Sequence, residues 1–351
     1  MRRALGGRRM LAAIVATATM AGPIALTAQT SGAHPLNVAD LGVSLVVAQA
    51  TEHPLLGGTT ITWQGSATVN PGQGTLLGAT ISNDGAIAQS DATLTVDTGG
   101  TVDPNFDLHP ACTATTSSTV TCSFGELAAG QSSPFVHIAV ETGAATSLQH
   151  HAAVSASPGE SLQVPLAQES PDSASASTTV ASSGFAFITD GESTSFTSGD
   201  NDVTTTFALP AGATDGGGMF VHLYEGDASD TSCGLSPCYA PEARADFVQV
   251  GGTPVSKENP VRVSVTYPQV KQTCNGLGGG SGCNPIHYLK TGQTLGPAPA
   301  VPKCSTYTPG GGTPYASADP CVYGLDRVDG SVVYLIALLE DIGFPIPKTL
   351  A

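Results

Sequence analysis

The chain predicts an all-β protein made of two antiparallel β-sandwich domains. Three observations carry that expectation. Short segments with period-two or β-branched character recur about every ten residues, from "LGVSLVV" and "ATISN" through "DATLTVDT", "STVTCSF" and "FVHIAV". Turn signals separate them: "LLGG", "NPGQG", "NDG", "TGG" and "AAGQ". The composition includes 42 Gly and 25 Pro with abundant Thr, Ser and Val, which favours strands and turns over helices. No long amphipathic helical pattern competes with them.

The elements fall in order along the chain. Residues 1–33 read as a secretory signal peptide: Arg2, Arg3, Arg8 and Arg9 form a positive start, and "MLAAIVATATMAGPIALTA" is an apolar run broken by Gly22 and Pro23. Ala33 and Ala28 end small-residue stretches suited to cleavage. The expected compartment is therefore extracellular, with the mature chain released or loosely associated with the cell wall and without stable membrane insertion. Residues 34–182 form the first expected domain and 183–351 the second, 318 residues in all (351 − 33).

Charge is unevenly spread. Residues 34–243 hold 21 carboxylates and no Lys or Arg, whereas residues 244–351 hold 8 bases and 7 acids. A field of that sign repels nucleic acid, so no nucleic-acid partner is expected. Clustered carboxylates at "TDGES" (Asp190, Glu192), "GDNDV" (Asp200, Asp202) and "EGDASD" (Glu225, Asp227, Asp230) leave weak calcium binding open. None of them reproduces the spacing of a calcium loop.

All 8 cysteines lie beyond the signal, and an even count in an exported chain argues for disulfides. Neighbour pairing is expected: Cys112 with Cys122, Cys233 with Cys238, Cys274 with Cys283, and Cys304 with Cys321. Each closed loop would stabilise by roughly 2–4 kcal/mol. No Cys-x-x-Cys occurs, so a zinc site at "CTATTSSTVTCSFGELAAGQSSPFVHIAV" is disfavoured. There Val136, Ile138 and Val140 share the expected core face, which turns His137 toward solvent. His150 and His151 are adjacent on a strand and point to opposite faces, so they do not chelate together.

Two stretches of the first half resemble a known family. "ATISNDGAIAQSDATLTV" carries an Asn-x-Gly turn at Asn83 and Gly85, and "VTCSFGELAAGQSSPFVHIAV" carries Gly125, Leu127 and Gly130 in a Gly-x-Leu-x-x-Gly turn. Together with the closing "SPDSASASTTVASS", these resemble the conserved repeat of bacterial surface proteins known as domain of unknown function eleven. The resemblance covers about residues 38–182 and implies an immunoglobulin-like sandwich used for spacing, display or adhesion, with no catalytic residues. The chain departs from the pattern at residues 51–75, which are long, and at "VDTGGTVDP". The second half resembles uncharacterised actinobacterial exported β-domains.

In that second half, "FAFIT", "VTTTFAL", "MFVHLYE", "RADFVQV", "VRVSVTY", "IHYLK" and "VVYLIALL" read as strands, the last as a central one. Between them lie three segments bracketed by cysteines and read as loops: "CGLSPC", "CNGLGGGSGC" and "CSTYTPGGGTPYASADPC". Tyr239, Tyr307 and Tyr315 sit in or beside these and form the candidate partner-binding surface, because Tyr adds contact area at low entropy cost.

No Gly-x-Ser-x-Gly elbow, phosphate-binding loop or His-Glu-x-x-His occurs. The expected function is a non-enzymatic, secreted structural or interaction protein, without a cofactor. Its first domain would serve as spacer or display module and its second would bind an extracellular protein or cell-envelope polymer. The competing expectation is a secreted hydrolase acting on polysaccharide or peptide, its site in the second domain around His222 or His287.

Overall fold

Period-two patterning places a strand at the predicted segments, though of "IHYLK" only Leu289 and Lys290 lie in the described residues. The computed structural model describes residues 40–52, 59–157, 172–181, 185–197, 203–224, 239–267, 289–290, 301–309, 311–328, 331–338 and 342–347, and no helix lies among them. The first half contains β1 (Leu41–Glu52), β2 (Thr59–Gln64), β3 (Ser66–Val69), β4 (Gly74–Asn83), β5 (Gln89–Asp97), β6 (Thr101–Val102), β7 (Cys112–Thr116), β8 (Thr119–Leu127), β9 (Val136–Glu141), β10 (Ser147–Ser157) and β11 (Ser173–Val180). The second contains β12 (Phe185–Thr189), β13 (Ser193–Thr197), β14 (Thr204–Ala208), β15 (Gly218–Tyr224), β16 (Tyr239–Val250), β17 (Val261–Tyr267), β18 (Leu289–Lys290), β19 (Lys303–Pro309), β20 (Cys321–Val328), β21 (Ser331–Leu338) and β22 (Ile342–Pro347).

These strands form three sheets. The first runs β18-β22-β16-β15-β12-β4-β1-β2, with β9 also on β4 and β6 on β9. The second runs β3-β11-β10-β5-β8-β7, and the third β13-β14-β17-β21-β20-β19. Leu45 and Val47 of β1, Leu77 and Ile81 of β4, and Leu94 and Val96 of β5 belong to one core between the first and second sheets. Ile188, Val221, Phe207, Val263 and Ile336 belong to another between the first and third. The alternation expected for "VRVSVTY" holds: Val261, Val263 and Val265 are buried while Arg262 is exposed. "VVYLIALL" is central, because β21 is paired on both sides, by β17 and β20.

Pairing is not purely antiparallel. β3 runs parallel to β11, and β19 parallel to β20. Neither pair is a hairpin, so no tight turn forces the strands to run oppositely. The segment from Cys304 to Cys321, read as a loop from its glycines, begins instead as edge strand β19.

The expected domain boundary falls between β11 and β12, and the first sheet crosses it at one register pair, Phe187 with Gly74. Residues Pro35–Ala351 make one compact unit. The join is a third core on the opposite face of the first sheet. Ala48, Ala50, Leu76, Phe106 and Ala139 of the first half pack there with Phe187 and Phe220 of the second. Phe187 lies 6.1 Å from Phe106 and 4.8 Å from Phe220, ring to ring. The loop after β6 docks on the second half, and the Asp107 amide donates to the carbonyl of Gly216 at 2.8 Å.

Four of the turn residues behind the resemblance, Asn83, Gly85, Leu127 and Gly130, meet at one point. The Asn83 side chain donates from Nδ2 to the carbonyls of Ile87 and Leu127, each at 2.8 Å, and accepts the Gly85 amide at 3.1 Å. Its backbone carbonyl accepts the Gly130 amide at 2.7 Å. Gly125 and Gly130 adopt φ of 71° and 72°, left-handed conformations that an L side chain rarely adopts.

Two of the four expected disulfides lie in the described residues. Cys112 and Cys122 face each other across β7 and β8, and Cys304 joins Cys321. Cys233, Cys238, Cys274 and Cys283 lie outside the described residues.

One buried hydroxyl goes against the pattern. Thr205 points from β14 into the second core, fully buried, and its Oγ1 has no hydrogen-bond partner among the described residues. Valine has the same shape without the desolvated hydroxyl. Thr205→Val should therefore stabilise the protein by about 1–2 kcal/mol, read as a higher urea midpoint at unchanged m-value.

Candidate functional site

Of the three candidate binding tyrosines, two fall in the same part of the third sheet. Tyr307 lies on β19, half-buried against the second core, with the Lys303 ammonium 4.2 Å above its ring centroid. Tyr315 lies in the connection to β20 and is also half-buried. That connection is tied down: the Ser305 amide donates to Ser317 Oγ at 2.8 Å, and the Ala316 amide to the Lys257 carbonyl at 2.9 Å. The Cys304–Cys321 disulfide closes the same segment. Tyr239 opens β16 on the first sheet, opposite Pro347, so the topology does not group it with the other two.

A second surface feature was not legible in the sequence. The single Trp, Trp63 on β2, stacks on His137 of β9 with centroids 5.4 Å apart and meets Phe135 edge-on at 4.9 Å. Gly78 of β4 lies beneath, and a Cβ there would fall 2.1 Å from Phe135 Cζ and 2.8 Å from Trp63 Cζ3. This corrects the expectation for His137. Val136, Ile138 and Val140 do face the first core, but His137 is half-buried under Trp63 rather than free in solvent. Both faces of β9 are covered, and burial holds the His137 pKa below its ordinary value.

The paired histidines diverge as period-two geometry requires. His151 is exposed, and Ser175 Oγ lies 2.8 Å from its Nδ1. His150 is fully buried, with Nδ1 2.6 Å from the Thr98 carbonyl and Nε2 2.9 Å from Thr178 Oγ1. A carbonyl can only accept, so Nδ1 carries the proton and Nε2 accepts from Thr178. Thr178 Oγ1 in turn accepts from Thr75 Oγ1 at 3.2 Å, which carries the chain across the sandwich to β4. Burial lowers the His150 pKa, opposed by the Thr98 hydrogen bond and the Asp97 charge.

The hydrolase expectation turns on His222. It lies opposite Asp246 in the register of β15 and β16, and both are buried. Phe185 stacks on the imidazole at 4.1 Å. The register places the two on one face of the sheet, with the imidazole covered by an aromatic ring. His287 lies outside the described residues.

The carboxylates expected as calcium candidates at "TDGES" bind the protein's own donors. Asp190 accepts from Thr214 Oγ1 at 2.8 Å and from the Thr214 amide at 3.0 Å. Glu192 Oε2 accepts from the Thr189 amide at 2.7 Å and lies 3.2 Å from Thr189 Oγ1. Asp103, from the first half, accepts from the same hydroxyl at 2.7 Å. Among the described residues no group of three or more His, Cys, Asp or Glu side chains is arranged to hold a metal ion. Asp200, Asp202, Glu225, Asp227 and Asp230 lie outside them. Among the described residues no helix is long and apolar enough to cross a membrane.

No family model matches the sequence, and no similar curated protein was found. Among solved structures, the "Putative membrane anchored protein" from Corynebacterium diphtheriae is similar at 12% identity and a TM-score of 0.17, over 89% of this chain and 90% of that one. Likeness at that level is too low to carry a fold or a function across.

Proposed function

We propose that this is a non-enzymatic extracellular protein: a rigid spacer whose second half presents a binding surface to an envelope or matrix partner. The observation that carries the reading is the third core. Apolar side chains from both halves close on one another there, with Phe106, Phe187 and Phe220 at its centre. An apolar join of this kind resists the hinge motion that a polar linker permits, and stiffness is what a display module requires.

Three further features support it. The disulfides belong to an oxidising compartment. The Arg-led apolar start of the chain suits export. Tyr307 and Tyr315 are held near a disulfide on a braced segment, which lowers the entropy cost of binding. The immunoglobulin-like character of the first half, as the resemblance to the surface-protein repeat implies, belongs to the same reading.

The test uses the mature protein immobilised and exposed to two preparations: envelope polymers of the secreting organism and its culture-medium polymers. Saturable retention of one polymer, weakened at least about tenfold by the double variant Tyr307→Ala/Tyr315→Ala, is expected. Release of sugar or peptide fragments during the incubation, abolished by His222→Ala, would establish the hydrolase instead.

A further inference from the structure

Among the polar contacts between the two halves, one is short of protons. Asp103 follows β6 in the first half; Thr189 ends β12, and Glu192 precedes β13, in the second. Asp103 Oδ2 and Glu192 Oε2 flank the single hydroxyl of Thr189 at 2.7 and 3.2 Å. Asp103 and Thr189 are buried, and Glu192 is half-buried. Three oxygens in line need two protons to satisfy both contacts, and the threonine supplies one. It points at Asp103, the nearer acceptor. The contact to Glu192 is then oxygen against oxygen unless Glu192 brings a proton of its own.

Among the described residues nothing basic supplies charge compensation. The titratable groups that face Glu192 are Asp103 and Glu141, both acids. Asp190, next to Thr189 in sequence, is engaged by Thr214. Residues 34–243 contain no Lys or Arg.

We propose that Asp103, Thr189 and Glu192 form a proton-dependent latch between the two halves. With the latch closed, Glu192 donates to Thr189 Oγ1, and Thr189 donates to Asp103. When the proton leaves, two carboxylates compete for one hydroxyl, and the contact between the halves weakens. The protein would thus hold its halves together most firmly in mildly acidic surroundings. The latch goes beyond the spacer reading, and it is tested on purified protein without any partner, so either can fail alone.

Burial raises the Glu192 pKa above its ordinary 4.5, opposed by the hydrogen bonds from the Thr189 amide and hydroxyl and supported by the charges of Asp103 and Glu141. A carboxyl raised on folding binds more protons in the native state. Its stabilising contribution is therefore complete below the unfolded value and is lost as pH rises through the folded one. His137 and His150 act in the opposite sense. Their pKa values are lowered on folding, so their contribution is complete above 6.5 and is lost as pH falls. Comparison with variants removes them from the reading.

The experiment follows Tm between about pH 4 and about pH 7 for the wild type, Glu192→Gln and Asp103→Asn. In Asp103→Asn the new side-chain amide would donate to Thr189, free its hydroxyl for Glu192 and abolish the need for the extra proton. Both variants should lose the rise in Tm on the acid side, a difference from wild type of about 2 °C. Amide exchange at Asp107, whose N–H crosses between the halves to Gly216, should be more protected at acid pH in the wild type only. Carboxyl ¹³C resonances of the wild type supply a reading that depends on no variant. One glutamate should titrate above 4.5, and its resonance should be absent in Glu192→Gln. Wild-type pH dependence retained in both variants, or all glutamates titrating in the ordinary range, overturns the latch.

Discussion

Phe187→Ala should destabilise the protein by about 3–5 kcal/mol. It should also split a single unfolding transition into two. Phe187 is 1% exposed and, among the described residues, lies at the one register pair where the first sheet passes from one half to the other. Its ring fills a site prepared for it: a Cβ on Gly218 would fall 2.5 Å from Phe187 Cζ, and one on Gly74 3.3 Å from Cδ1. Truncation leaves a ring-sized cavity between Phe106 and Phe220. The two flanking cores contain no part of that ring and stay intact. Calorimetry should therefore show the halves melting separately, whereas a truncation of equal cost in the second core, Phe207→Ala, should keep one transition. A single shifted transition for Phe187→Ala would mean that the third core does not couple the halves.

Asn83→Ala should cost about 3 kcal/mol, roughly 1 for each of the three side-chain hydrogen bonds lost. Asn83 is fully buried, and its amide holds Ile87 and the end of β8 at Leu127 through their carbonyls. Neither carbonyl gains a donor from alanine. Asn83→Asp separates shape from hydrogen bonding. It retains an acceptor for the Gly85 amide but turns a second oxygen toward two carbonyls, so it should be at least as damaging as alanine. Urea midpoints of the three proteins measure the order. An aspartate variant as stable as the wild type would exclude this account of the motif.

That asparagine also marks how far the sequence could be read. Asn83, Gly85, Gly125, Leu127 and Gly130 stood out as turn chemistry, since the residue types that permit sharp turns are few. The meeting of Gly85 and Leu127 around the Asn83 side-chain amide could not be read, because it joins positions 44 residues apart in sequence. The strands behaved likewise. "VRVSVTY" and "FVHIAV" announced which face is buried, since alternation is local. What covers the other face is not local: His137 was expected in solvent, and Trp63, 74 positions earlier in the chain (137 − 63), covers it. The cysteine pairs at 112–122 and 304–321 were legible because short separations favour ring closure.

The candidate site divides in the same way. The tyrosine-bearing segment near Cys304 was visible from composition, but its glycines hid a parallel edge strand. The carboxylates of "TDGES" were visible as an acidic cluster. Their engagement was not, because Asp103 reaches Thr189 from 86 residues away.

By itself the sequence determined the all-β class, the positions of most strands, the two disulfides seen in the structure and the acidic field of the first two-thirds of the chain. Each of these follows from residue type and spacings short enough for local geometry to act. Only the tertiary structure decided the strand order, the parallel pairs, the third core and the proton-poor contact beside it. Those depend on which surfaces meet when the sheets stack, and burial at such contacts is shared between distant segments that carry no local signal of one another.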